Sequence, residues 1–266
     1  MNIKKLQDIM LECLNEFHKI CVEDKLTYYI IGGTLIGAIR HHGFIPWDDD
    51  VDVAMPRDDY EKLIDIFNKS NSSKMINLYN YKTNDNMRCY FSRIIVEPDY
   101  ALKKGFKKND TLGMVAIDIL PIDGTPNNTI LRNIYYKKCM FYRALSGISN
   151  LDVKPISKSR TKFEKFILNV CLKLKLYKFI DRVKIYNKLD KLYRKYNWQD
   201  SKYSGTITGA YRSKEIVETN LWGNGTLYDF EKYKFYGPDK YDEYLTHMYG
   251  NYMQLPPEKD RKKHFE

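Results

Sequence analysis

Asp48, Asp50 and Asp52 alternate along Trp47-Asp48-Asp49-Asp50-Val51-Asp52-Val53. On a strand every second side chain points to one face, so Asp50 to Ala54 reads as a strand with its acids on one side, and Asp48 extends the row if the strand starts early enough. Carboxylates packed this closely repel one another unless protons or a cation offset their charge. A hard divalent ion with oxygen ligands, Mg²⁺ or Mn²⁺, resolves that conflict, and Asp50 and Asp52 are its expected ligands. Just upstream lies Gly32-Gly33-Thr34. Glycine lets the backbone approach a ligand, and N–H groups at a helix start bind phosphate. A glycine turn beside a carboxylate-held metal suits a phosphate ester, the metal relieving charge on the leaving group.

Runs of acids are often solvated turns, but a turn does not need the apolar alternation of Val51, Val53 and Met55. A third acid is expected if two metals bind, and Asp118 fits, inside the apolar run Met114 to Leu120. A carboxylate buried there is unfavourable unless paired with a metal or a base; the alternatives are a turn cap or an arginine partner. Asp123, just past Pro121, reads as a turn residue. Arg40 and Arg57 flank the acids and can neutralise phosphate charge, or pair on the surface with Asp58 or Asp59. Arg93, on an expected strand, is a further phosphate candidate. His42 and Trp47 are candidates for donor-group or acceptor contact, since a quaternary ammonium needs aromatic faces; Trp222 and Tyr228 are weaker ones.

These residues must be held by the elements around them. Leu6, Ile9, Met10, Cys13, Leu14, Phe17, Ile20 and Cys21 recur at helical spacing, which predicts an amphipathic first helix. Tyr28 to Ile31 reads as a short strand broken by the Gly pair, after which Thr34 can cap a helix reaching Ile39. Pro56 and Asp58 introduce a helix over Tyr60 to Asn68, and Tyr90 to Val96 and Met114 to Leu120 are strand candidates. Strands alternating with helices predict an α+β or α/β core over residues 1–125. Residues 126–200 read as a helical lobe, broken near Gly147 to Ser159 where Gly, Asn, Pro and Ser cluster. Residues 201–266 return to short strands and a last helix, Asp239 to Met248, packing back on the core.

The 43% hydrophobic content and 23 tyrosines support a real core and exclude general disorder. The formal charge of +10 is localised: residues 131–198 carry 18 Lys and Arg against four acids, a net of +14, leaving −4 elsewhere. No recognition motif accompanies that charge, so nucleic-acid binding is not expected. Phe163, Phe166, Ile167, Val170 and Leu174 form a helical apolar stripe among lysines. Its commonest explanation is a helix packed on the core with a solvated basic face. The next is peripheral contact, through residues 157–195, with an anionic membrane carrying a lipid-linked glycan. Five scattered cysteines, without metal spacing, point to a reducing compartment. Neither a secretion signal nor a spanning apolar run is legible, which predicts a cytoplasmic protein.

Two segments carry a family resemblance: Ile31-Gly32-Gly33-Thr34-Leu35-Ile36-Gly37-Ala38-Ile39-Arg40, and Gly43-Phe44-Ile45-Pro46-Trp47-Asp48-Asp49-Asp50-Val51-Asp52-Val53-Ala54-Met55-Pro56-Arg57. Ile117 to Gly124 and the tail Tyr249 to Pro257, with Arg261 and His264, extend it over nearly the whole chain. Together they resemble the LicD family of phosphocholine transferases, and are similar to the catalytic domain of fukutin-related protein, whose zinc-binding cysteines have no counterpart here. The resemblance implies an α+β, nucleotidyltransferase-like mixed sheet with flanking helices and an added basic helical segment. It implies Mg²⁺-dependent transfer of phosphocholine from CDP-choline to a sugar hydroxyl of a cell-surface glycan, releasing CMP. Asp50, Asp52 and Asp118 carry over as metal ligands and Asp48 as a further catalytic acid. Gly33 and Thr34 would steady the diphosphate, while Arg261 and His264 would close over the site.

Other CDP- or CMP-activated groups are equally compatible with these acids: phosphoethanolamine, aminoethylphosphonate, glycerol phosphate or ribitol phosphate. The glycine–acid pattern alone would also allow a nucleotidyltransferase attacking the α-phosphorus of an NTP, which the long Phe44 to Arg57 match disfavours. A non-catalytic scaffold would not need intact Asp50, Asp52 and Asp118.

Overall fold

The computed structural model describes residues 3–69, 73–84, 87–108, 114–153, 156, 160–258 and 261. Helix α1 (Ile3–Glu23) buries every residue of the stripe read from its spacing. It lies against a mixed sheet built from β1 (Tyr29–Ile30), β2 (Asp52–Pro56), β3 (Ile76–Tyr79), β4 (Ser92–Val96) and β5 (Val115–Gly124). The strand order is β1-β2-β5-β4-β3. Strands β2 and β5 run parallel, while β1–β2, β5–β4 and β4–β3 are antiparallel. With helices α2 (Gly32–His41), α3 (Arg57–Lys69) and α4 (Pro98–Lys103) around the sheet, the fold is α+β.

Strand β5 extends beyond its expected end and passes through Pro121. Proline cannot donate to a ladder and is confined to unpaired positions. Here β4 pairs β5 only as far as Ile119, and β6 (Tyr203–Gly205) takes over at Asp123 and Gly124, so Pro121 falls in the gap. Strand β6 then pairs with β7 (Ile216–Glu218). The hairpin β8 (Thr226–Phe230) and β9 (Tyr233–Gly237) is followed by α8 (Tyr241–Tyr249). Trp222, Phe230, Phe235, Tyr244, Leu245 and Met248 share one buried cluster with α1 and the central strands. Trp222 is therefore core, tilted against Tyr29 and Tyr244, and offers no face to a choline group. Tyr228 packs edge-on against Tyr241.

Between β5 and β6 lies the basic lobe: α5 (Thr129–Ser149), α6 (Lys162–Lys173) and α7 (Arg182–Tyr193). Each start is capped by a side chain, as unpaired first-turn N–H groups require. Asn128 caps α5, Thr161 and Glu164 form a capping box on α6, and Asp181 caps α7. Tyr135, Cys139, Tyr186, Leu189 and Tyr193 make a second cluster with Tyr81 and Tyr90 from the sheet side.

An ion network clamps α7 to the core. Arg57 is buried; its Nε and Nη2 donate to Asp123 at 2.7 and 2.5 Å, and Nη1 lies 3.6 Å from Asp190 of α7. Tyr90 donates to Asp190 at 2.8 Å, and Arg194 bridges Asp190 and Glu61. This corrects two expectations. Asp123 is a buried strand residue and not a turn, and Arg57 is enclosed by carboxylates of the fold, with no guanidinium face left for phosphate.

The lobe's apolar stripe is a third correction. Phe163 is 72% exposed, Phe166 66% and Leu174 61%, with Ile167 and Val170 also open. Leu168 and Cys171 make the buried contact, so α6 packs on its other side. No helix among the described residues is long and apolar enough to cross a membrane.

Candidate active site

The acid row forms across strands and not along one. Strand β2 begins at Asp52, while Asp48 and Asp50 lie in the loop before it, so the expected single-strand row is not formed. Asp52 stands in register with Asp118 on the parallel neighbour β5, and Asp118 with Arg93 on β4. Asp118.N donates to Val51 O at 2.9 Å, which ties the acid loop to β5 at this level. Arg93 takes hold of both Asp118 oxygens, Nε lying 2.8 Å from Oδ1 and Nη2 donating to Oδ2 at 3.2 Å. Burial opposes the Arg93 charge, but the facing Asp118 carboxylate outweighs it and raises the guanidinium's pKa.

The glycine pair seats the carboxylates. A Cβ on Gly32 would meet Asp52 Oδ2 at 3.0 Å, and one on Gly33 would meet Asp48 Oδ2 at 2.5 Å. Gly32 also has φ +59, in the left-handed region where a side chain is strained. Helix α2 starts at Gly32 with Ile31 as its N-cap, so Thr34 is not the cap that its residue type suggested. Its hydroxyl instead accepts from the Asp52 N–H at 2.9 Å, and Ile31.N donates to Asp52 O at 3.1 Å. Thr34 thus fixes the helix start to the strand that carries Asp52. The first N–H groups of a helix have no partner within it, and in α2 these belong to the glycine turn beside the acids.

Asp52 carries the electrostatic strain. Burial, followed by the charges of Asp50, Asp118 and Asp48, pushes its carboxyl well above its ordinary pKa. Concentrated negative charge of this kind is what a divalent cation relieves. Among the described residues no three His, Cys, Asp or Glu side chains converge tightly enough to hold an ion by themselves. Mg²⁺ is commonly bound by one or two carboxylates plus substrate phosphate oxygens, so neighbouring carboxylates lining a cleft fit that ion.

The cleft over these acids has a volume of about 320 Å³. Gly32, Asp52, Asp118, Tyr211, Glu215 and Tyr249 are among the residues that line it. Glu215 is an acid the sequence did not flag. It is buried, accepts from Thr206 Oγ1 at 2.7 Å and from Tyr211.N at 3.0 Å, and burial raises its pKa. Its carboxylate packs so closely on Gly209 that a Cβ there would overlap it. No spacing signal could have found it, because it comes from a short turn, Arg212–Glu215, remote in sequence. Arg143 was likewise missed; it donates to the carbonyls of Ile207 and Gly209 at 2.8 and 2.9 Å and holds the same loop.

Other candidates lie outside the cleft. Arg40 donates to Tyr252 O at 2.5 Å and ties down the C-terminal tail, a role other than phosphate contact. His42 is an exposed left-handed residue closing α2, its carbonyl accepting from Glu231.N. The Arg261 guanidinium sits 4.8 Å from the Trp47 ring centroid and covers a face that a choline group would need. His264 lies outside the described residues.

Comparison with known proteins gives two kinds of match. A family model described as the nucleotidyltransferase domain of LicD/FKTN/FKRP matches residues 25–158. The lipopolysaccharide cholinephosphotransferase LicD of Haemophilus influenzae is 30% identical over 267 residues, 99% of this chain and 96% of that protein. An uncharacterised protein of Rickettsia prowazekii is 36% identical over 50 residues, 19% of each chain. One from Rickettsia typhi matches equally over 50 residues, 19% of this chain and 16% of its own.

Proposed function

This chain belongs to the LicD family, and from that premise we propose that it transfers phosphocholine from CDP-choline to a sugar hydroxyl of a cell-surface glycan, releasing CMP. The observation that carries the reading is the pair of acids lining the cleft, Asp52 in register with Asp118, with the charge of Asp50 acting on Asp52 from the adjoining loop. Such an arrangement suits a metal–diphosphate better than a neutral ligand.

Asp50 and Asp52 would hold Mg²⁺ or Mn²⁺, with Asp118 next to them. When bound, the ion neutralises charge on the phosphates and on the departing CMP. The chain's own groups do the rest. Gly32 and Gly33 present helix-start N–H groups to the diphosphate, with Thr34 keeping that turn in place against Asp52. Arg93, anchored by Asp118, has further N–H groups to offer a phosphate oxygen. The acceptor hydroxyl attacks the β-phosphorus in line with the bond to CMP, and its proton passes to Asp48 or Asp118. A pH–rate comparison of Asp48→Asn and Asp118→Asn identifies which one takes it.

The test is a product assay with Mg²⁺ and a panel of CDP-linked donors and NTPs, separating CMP from pyrophosphate. CMP from CDP-choline, lost in EDTA, is the expected result. CMP from CDP-ethanolamine, CDP-glycerol or CDP-ribitol alone would transfer the reading to that donor, and pyrophosphate from an NTP would overturn it.

The acceptor in this proposal is a lipid-linked glycan met at the inner face of a membrane. What supports it is the open apolar face of α6, with Phe179 a further 83% exposed, in a segment that also carries Lys162, Lys165, Lys173, Lys175 and Lys178. Large apolar side chains beside lysines suit an anionic lipid surface.

A further inference from the structure

A groove of about 690 Å³ lies on the lobe beside the catalytic cleft. Arg143 and Ala210 line both spaces, so the two are neighbours. The segment from Thr206 to Glu215 is the wall between them: Gly209 and Tyr211 line the cleft, Arg212 and Ser213 the groove. That wall is tied down. Glu215 accepts from Thr206 Oγ1 and from the Tyr211 N–H, and Arg143 donates to the carbonyls of Ile207 and Gly209. Arg212 stands on it with φ +61, a left-handed conformation that persists only where the surroundings fix it.

The charge of the groove is one-sided. Arg143 of α5, Arg160 just before α6 and Arg212 line it against one carboxylate among the described residues, that of Glu164. This carboxylate is already committed. Its Oε2 accepts from the Thr161 N–H at 3.0 Å as part of the α6 cap, and its Oε1 from Arg212 Nη2 at 3.2 Å. Tyr136, also in the lining, reports that the charges converge. Burial raises its phenol pKa while Arg143 and Arg212 both lower it, so both guanidiniums lie near one hydroxyl. A guanidinium has five N–H groups; Arg143 places two on the wall and Arg212 one on Glu164, with others left for a ligand. Like charges gathered in this way repel, and a bound oxyanion relieves them while accepting their N–H groups in pairs.

Position decides which substrate brings that anion. The donor's diphosphate belongs with the metal over Asp50 and Asp52. The groove is across the wall from those acids and is bordered by α6, whose Phe163 and Phe166 stand open on the face assigned to the acceptor's surface. We propose that the groove binds an anionic group of the acceptor glycan, a phosphate or a carboxylate, and so holds a neighbouring sugar hydroxyl toward the acids. The inference rests on the proposed transfer to a glycan, and it makes that glycan an acidic one.

Calorimetric titration of the full chain with glucose 6-phosphate, glucuronate and glucose tests it, in EDTA so that no metal holds an anion at the acids. Wild type should bind at least one of the two anions, more weakly as salt rises, and glucose about tenfold or more weakly than that anion. Whichever anion binds better identifies the group that the acceptor carries. Arg160→Gln combined with Arg212→Gln should weaken anion binding about tenfold or more, with CMP binding in Mg²⁺ unchanged. Arg160→Gln alone, which leaves the Arg212–Glu164 pair intact, should act in the same direction and guards against a variant that misfolds. Equal binding of anion and glucose, or undiminished anion binding in both variants, would overturn the proposal. So would a matching fall in CMP affinity at an unchanged melting temperature, which would give the arginines to the donor. Absence of turnover with every CDP-linked donor would sink the functional reading instead; anion titration needs no turnover, so the two failures are separable.

Discussion

At the scale of single residues, the charge around Asp52 dominates the site. Its carboxyl is raised by burial and by Asp50, Asp118 and Asp48. A raised folded-state pKa for an acid means that the fold is strained while the group is ionised and relieved as pH falls through the raised value. Asp52→Asn should therefore melt higher than wild type in EDTA at neutral and alkaline pH. About 1 kcal/mol corresponds to roughly 2–4 °C for a chain of this size, and the gap should close on acidification through the raised value. The same variant should lose CMP release by on the order of a hundredfold or more; equal melting with full turnover would contradict both roles. Gly33→Ala places a methyl group 2.5 Å from Asp48 Oδ2. Displacing that acid should lower turnover by about tenfold or more while the melting temperature holds, as steady-state rates and a thermal scan would show. The aspartates and glycines drew attention through their spacing, but the alternation misplaced the row, which forms across β2 and β5 and not along one strand. Glu215 and Arg143 had no such signal, because their roles come from a loop that tertiary contacts bring over the acids.

At the scale of elements, register decides the site. Asp52 and Asp118 meet because β2 and β5 run parallel with those residues opposed, and Arg93 joins because β4 pairs antiparallel on the far side. The apolar patterns of β2, β4 and β5 could be read from the sequence, but strand order and register depend on pairing partners that local pattern does not encode. Arg57 shows the same limit. Beside a catalytic motif it invites a phosphate role, yet its partners Asp123 and Asp190 lie on β5 and α7. Arg57→Met should destabilise the fold by about 3–5 kcal/mol, because it leaves the buried Asp123 uncompensated. Urea unfolding should register a lower midpoint with an unchanged slope. A loss of turnover at full stability would return Arg57 to the active site.

At the scale of the whole molecule, the proposed function assigns two parts to two regions: the exposed apolar face of α6 would meet the surface that carries the acceptor, and the acid cleft would do the chemistry. Hydrophobic periodicity announced the stripe, but which side of a helix is covered depends on what packs against it, and here Leu168 and Cys171 take that side. Replacing Phe163, Phe166 and Phe179 with serine should reduce sedimentation with anionic vesicles several-fold and leave turnover on a soluble acceptor unchanged. Absence of vesicle binding by the wild type at both low and high salt would remove the membrane role. The central claim is a displacement at the β-phosphorus of a CDP-linked donor over the Asp50–Asp52 pair. It is tested most directly with CDP-choline carrying oxygen-18 in the bridge between its phosphates, the products being read by phosphorus NMR. Attack at the β-phosphorus predicts that the label leaves with CMP. Label found on released phosphocholine, with the cytidine monophosphate unit joined to the acceptor, would contradict it.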